Sequence, residues 1–319
     1  ADLYIPLTQA VATHIGLCTG IPNSAAVVLA RVGMVPLTQS YLDRLQRMKM
    51  IIDGNGPIEV AGAPKLGRIN YIEDFGSFVS SSTAFNQAIL CALAGPLGIP
   101  VSSIHEYVED DVVEKVAGSF VNHNFEFASR SLPARIFRRM RAMLSGIWGA
   151  TPAPYMVNSR LPLVEAGAYG PGRFADIQWN TVYQTPPLNI PMRERVFESA
   201  VDATDSLLRE YLAQLGINES AHSRLINTFK DYCESLFPTS LLEGATANIA
   251  AWEKKLKRFR MSPLVSSGVS LSTASAFSVA AAKKLNMKII GAQHGGYQGY
   301  TCWQPWALDG EMAFCDAFI

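Results

Sequence analysis

The stretch from Pro263 to Ala292 constrains the fold more than any other part of the chain. Pro263-Leu264-Val265-Ser266-Ser267 reads as a short strand, and Gly268 to Ser272 as a turn. Thr273 to Leu285 reads as an Ala-rich helix, and Lys288-Ile289-Ile290-Gly291-Ala292 as a second strand. Strand, turn, helix and strand within about 30 residues form a βαβ unit, which implies a parallel sheet. In open parallel sheets ligands gather beyond the carboxyl ends of the strands. The residues that follow each strand are therefore where chemistry is expected.

After the second strand comes Gln293-His294-Gly295-Gly296-Tyr297-Gln298-Gly299-Tyr300. An imidazole at a strand end titrates near neutral pH, as a general base must. Gly295 and Gly296 let the backbone approach a ligand closely and permit positive φ. After the first strand, Ser267, Gly268, Ser270, Ser272 and Thr273 stand at the start of a helix. They would suit a phosphate, although ordinary helix capping is the plainer reading. The turn lacks both a Walker lysine and a GxGxxG spacing. Asp309, Glu311 and Asp316 are the nearby acids, each able to orient His294 or to accept from a sugar hydroxyl. Trp303 and Trp306 could stack on a sugar or base, or simply pack.

The rest of the chain reads as mostly helical. Helices are expected within residues 1–48, over 83–97 with Gly98 as a stop, from Met192 to Leu215, over 220–236 and over 240–259. The last of these ends in the basic turn Lys254 to Arg258, which suits a helix dipole. Lys49 to Ile52 and Ile58 to Ala61, flanking Asp53-Gly54-Asn55-Gly56-Pro57, suggest a hairpin, and Val101 to Val108 a strand. Seven of the 18 prolines fall within residues 152–191, so an irregular, Pro/Gly-rich insertion is expected over about 126–191. Arg130 to Trp148 carries Arg130, Arg135, Arg138, Arg139 and Arg141 and no acid. Its apolar residues recur at helical spacing. That is the profile of a helix lying on an anionic membrane surface, or of a solvated helix packed on its own domain.

Composition excludes several classes. Lys plus Arg and Asp plus Glu are 27 each, a formal net charge of zero, which argues against a bulk nucleic-acid binder. Five cysteines at 18, 91, 233, 302 and 315, without CxxC, suit reduced thiols rather than a disulfide framework or zinc knuckle. The other histidines, 14, 105, 123 and 222, lack metal-ligand spacing and read as structural, so no metal and no cofactor are expected. The longest apolar run, Ala88 to Val101, is broken by Gly95, Pro96, Gly98 and Pro100, short of a membrane span. Both ends look cut: Ala1 is not an initiator Met, and Cys315 to Ile319 reads as an entering strand.

Met287 to Gly299 with its Gln-His-Gly-Gly, then Gly310-Glu311, then Cys315-Asp316-Ala317-Phe318-Ile319, resembles a group of bacterial surface-carbohydrate transferases. These are GT-B-like and distantly similar to the CDP-glycerol glycerophosphotransferases. Glu73-Asp74-Phe75 and Phe85-Asn86-Gln87 look weakly like the same group's N-terminal region. The resemblance implies an α/β fold with a Rossmann-like parallel sheet and many helices, the N-terminal half of a GT-B architecture. Residues 1–319 would form one acceptor-side domain, with a donor domain expected after residue 319. It implies transfer of a sugar from a nucleotide sugar to a surface-glycan or lipid-linked acceptor. His294 would be the base and Glu311 a substrate-side carboxylate. Gly295, Gly296, Tyr297, Ser267, Ser270, Ser272 and Asp316 would bind substrate. Gln298, where the relatives have Tyr next to Gly, departs from the pattern. A cytoplasmic protein, peripheral on the inner membrane face, is the matching location. Polyol-phosphate transfer and a non-catalytic membrane-docking scaffold are the alternatives.

Overall fold

Helical spacing of apolar residues dominates the first 55 residues, and the chain folds accordingly into α1 (Tyr4–Thr19) and α2 (Asn23–Asn55). Leu7, Val11, Ala12 and Ile15 bury one face of α1. Gly20 ends that helix at φ +71°, its N–H donating to the Gly16 carbonyl at 2.9 Å, the left-handed cap that glycine adopts without strain. The computed structural model describes residues 3–55, 58–62, 69–75, 83–102, 155–156, 175–176, 183–266, 272–291 and 312–318. The chain divides into two compact units, residues 1–116 with 184–246 and residues 117–183 with 247–319, a division the sequence reading did not make.

The first unit adds α3 (Thr83–Ala94), α4 (Ile190–Gln214) and α5 (Glu219–Leu236). Asn189 and Asn218 cap α4 and α5, each side chain accepting a backbone N–H. Val196, Phe197, Ala200, Leu208 and Leu212 form the buried stripe of α4. Arg193 on the same helix is 1% exposed. It meets Glu243 through Nε at 2.6 Å and Nη2 at 2.8 Å, and donates to the carbonyls of Glu234 and Phe237 at the end of α5. This buried pair holds α4 to α5, and removing one partner costs about 3–5 kcal/mol.

Two expectations change here. Lys49 to Ile52 is the last part of α2, not a hairpin strand. The i,i+4 pairs Arg47–Asp43 and Lys49–Asp53 carry the helix onward. Val60 pairs instead with Val101 in an isolated parallel bridge, and residues 103–108 of the expected strand lie outside the described residues. The sequence reading also passed over Asn23–Gly54, which is long and apolar enough to cross a membrane by length and composition. Its most apolar window has mean hydropathy 1.3 and is 83% buried in the protein.

Among the described residues the second unit has five strands: β1 (Tyr155–Met156), β2 (Ala175–Asp176), β3 (Leu264–Ser266), β4 (Ile289–Gly291) and β5 (Ala317–Phe318). Every pairing is parallel, in the order β2-β1-β3-β4-β5. Two further helices flank β3 in sequence, α6 (Ala245–Leu256) before it and α7 (Thr273–Lys284) after it. The expected strand, helix and strand of the βαβ unit are therefore β3, α7 and β4. Every residue of α7 from Thr273 to Ala282 is buried, which its small side chains permit. Trp252 of α6 is wholly buried and donates to the Tyr183 hydroxyl at 3.2 Å. The Tyr183 ring stacks on Phe277 of α7.

Candidate functional site

Because all five strands are parallel, their carboxyl ends share one edge of the sheet. The registers pair Met156 with Asp176 and Val265, Ser266 with Gly291, and Gly291 with Phe318. The chain thus leaves β3 at Ser266 and β4 at Gly291 on neighbouring strands, about 4.8 Å apart. The strand order also reverses between β1 and β3: β2 lies to one side of β1, and β4 and β5 lie beyond β3 on the other. At such a switch point successive connections diverge to opposite sides and leave a crevice at the carboxyl edge.

At this edge Ser272 caps α7, its Oγ accepting the Ser275 N–H at 3.2 Å. The plainer reading of that serine is the one the geometry supports. Ser266 and Ser275 differ from it. Both are 1% exposed, and neither hydroxyl has a hydrogen-bond partner. Ser278, one turn further along α7, donates to the Ser275 carbonyl at 2.8 Å. The same residue type in the same buried helix is therefore satisfied at one position and left open at the other. The sequence reading did not single out Ser266 or Ser275. Their burial without a partner is seen only in the structure, where such groups normally carry one.

Asp316 lies at the opposite edge. Its backbone N–H donates to the Ile289 carbonyl at 2.8 Å, its Oδ2 accepts the Ile289 N–H at 2.7 Å, and Lys288 Nζ stands 3.9 Å from Oδ1. This carboxylate joins the amino ends of β4 and β5, away from the carboxyl edge where substrate was expected. Its employment is in the sheet register. His294, Glu311, Gly295, Gly296, Tyr297, Ser267 and Ser270 lie outside the described residues, as do Asp309, Trp303, Trp306 and Arg130 to Trp148.

The remaining titratable groups of note serve the fold. Asp74 is 9% exposed and its Oδ2 accepts the N–H groups of Asn70 and Tyr71. Burial raises its pKa above the ordinary aspartate value, against the opposing pull of those two N–H groups. His222 is buried with Nε2 3.0 Å from the Ile217 carbonyl, the structural role expected of it. Burial pushes the Cys233 thiol and the Tyr41 and Tyr232 hydroxyls upward, so all three stay neutral near pH 7. In the basic turn, Lys257 pairs with Glu253, and Lys255 lies 4.8 Å over the Trp252 ring. Among the described residues no three His, Cys, Asp or Glu side chains are grouped as a metal would need.

A family model described as LIC12162 family transferase matches residues 29–319. No curated protein and no solved structure gives a significant match.

Proposed function

The chain belongs to the LIC12162 transferase family, and from that premise we propose that it serves transfer of a sugar from a nucleotide sugar to a surface-glycan acceptor. The Rossmann-like, GT-B-type reading of the fold is part of this proposal. In the reaction His294 takes the proton of the acceptor hydroxyl as its oxygen bonds to the anomeric carbon. The bond from that carbon to the nucleoside diphosphate breaks, and the diphosphate leaves with the electron pair. Glu311 would orient the acceptor or the base.

The observation that supports the reading is the common carboxyl edge of the parallel sheet, with its order reversing between β1 and β3. His294 stands three positions after Gly291, the last residue of β4, and strand ends at such an edge supply catalytic groups. The test is turnover by His294→Ala, with folding checked by circular dichroism. A loss of about 10²–10⁴ is expected, the worth of a positioned general base. Turnover close to wild type in a folded variant would remove His294 from the mechanism.

A further inference from the structure

We propose that Ser266, Ser275 and the first turn of α7 form a binding site for a phosphate group of the substrate. This rests on the proposed transfer chemistry only for the substrate's identity. The site itself stands on the geometry of the carboxyl edge.

Ser266 is the last residue of β3, the strand beside the switch point, and Ser275 lies in the first turn of the helix that follows. In a helix each Cβ leans toward the N-terminus, and Ser275 stands in the first turn of α7. The N-terminus of α7 carries about half a positive charge, but by itself it is no site. The second observation is the pair of hydroxyls. Each is 1% exposed and without a partner, and an unpaired buried hydroxyl costs about 1–3 kcal/mol. Two such groups at the same edge are explained by a ligand that accepts from them. The hydroxyls of Ser266 and Ser275 each keep an O–H to donate. A tetrahedral oxyanion such as a phosphate ester or diphosphate takes several converging donors at once. The shared chemistry has two sources, the diphosphate of a nucleotide-sugar donor and the phosphate of a polyol-phosphate acceptor.

The experiment is titration of the full 319-residue chain with inorganic phosphate and with pyrophosphate, followed by calorimetry and ³¹P NMR. Ser266→Ala and Ser275→Ala are measured alongside, and each variant is also melted without ligand. The wild-type chain is expected to bind at millimolar concentration or tighter. Each substitution is expected to weaken binding about tenfold, the worth of one hydrogen bond to a charged group. In the same variants the ligand-free melting midpoint is expected to stay or rise, since alanine removes an unpaired polar atom. No binding by the wild-type chain, undiminished binding by both variants, or a lowered midpoint in both would overturn the site. Competition by uridine diphosphate assigns the group to the donor, and competition by glycerol 3-phosphate assigns it to the acceptor. Phosphate binding that persists in His294→Ala, whatever its turnover, separates this site from the assignment of the base.

Discussion

The two edges of the sheet in the second unit are treated oppositely. At the amino edge the strands are tied by bonds to backbone and carboxylate alike. The Leu264 N–H meets the Lys288 carbonyl at 2.8 Å, and Asp316 closes on Ile289 through both its backbone and its carboxylate. At the carboxyl edge two buried hydroxyls, Ser266 and Ser275, are left without partners. Leaving donors unpaired there lowers stability, and proteins tolerate such a loss chiefly where a ligand makes it up. The amino edge therefore holds the fold, and the proposed site lies at the carboxyl edge.

The comparison is broken most severely at the pinned edge. Asp316→Ala removes the acceptor of the Ile289 N–H, and the expected loss is about 1–3 kcal/mol of stability, read from a denaturant midpoint. Phosphate affinity of the folded variant should match wild type. A variant of normal stability that no longer binds would move Asp316 to the working edge.

Ser272→Ala sharpens the contrast within the carboxyl edge itself. As the cap of α7, its loss should cost about 0.5–2 kcal/mol, measurable by thermal melting, whereas Ser275→Ala should cost nothing. Equal destabilisation by the two would erase the distinction between capping and ligand-facing serines.

The smallest effect lies in the helical unit. Asp74 has a folded pKa above its unfolded value because burial disfavours the charged form. Between the ordinary aspartate value, about 3.9, and the raised folded value, the folded state holds more protons than the unfolded state. Stability must then fall as pH rises through that window. Asp74→Asn keeps an oxygen to accept from Asn70 and Tyr71 and should flatten this slope in melts run from acid to neutral pH. A slope unchanged from wild type would mean that Asp74 is not its source.

How much of this was legible in the sequence varies with the physical signal. β3, α7 and β4 stood out because β-branched runs, a Ser/Gly turn and an Ala-rich stretch follow one another within a short span. The expected strand at the end of the chain became β5. β1 and β2 did not stand out. Two residues each, Tyr155–Met156 and Ala175–Asp176, carry no period, and the prolines around them suggested only loop. The hairpin around Asp53-Gly54 was misread because the same residues serve a helix end, where Asp53 pairs back to Lys49. The two units were hidden because each is discontinuous, the chain leaving the first and returning at residue 184. The role of Asp316 depends on which residue of β4 it faces, and register is a tertiary fact. Ser275 was hidden by its neighbours, since in an Ala-rich helix a serine is no surprise until the helix proves buried on every side.

The claim that the carboxyl edge is the working edge is tested most directly by hydrogen–deuterium exchange on the 319-residue chain, with and without saturating pyrophosphate. The account predicts added protection in peptides spanning the end of β3 and the first turn of α7. Peptides covering Lys288 to Ile290 and Asp316, at the amino edge, should exchange as before. Protection confined to the amino edge or to the helical unit, with none at Ser266 to Ser275, would contradict it.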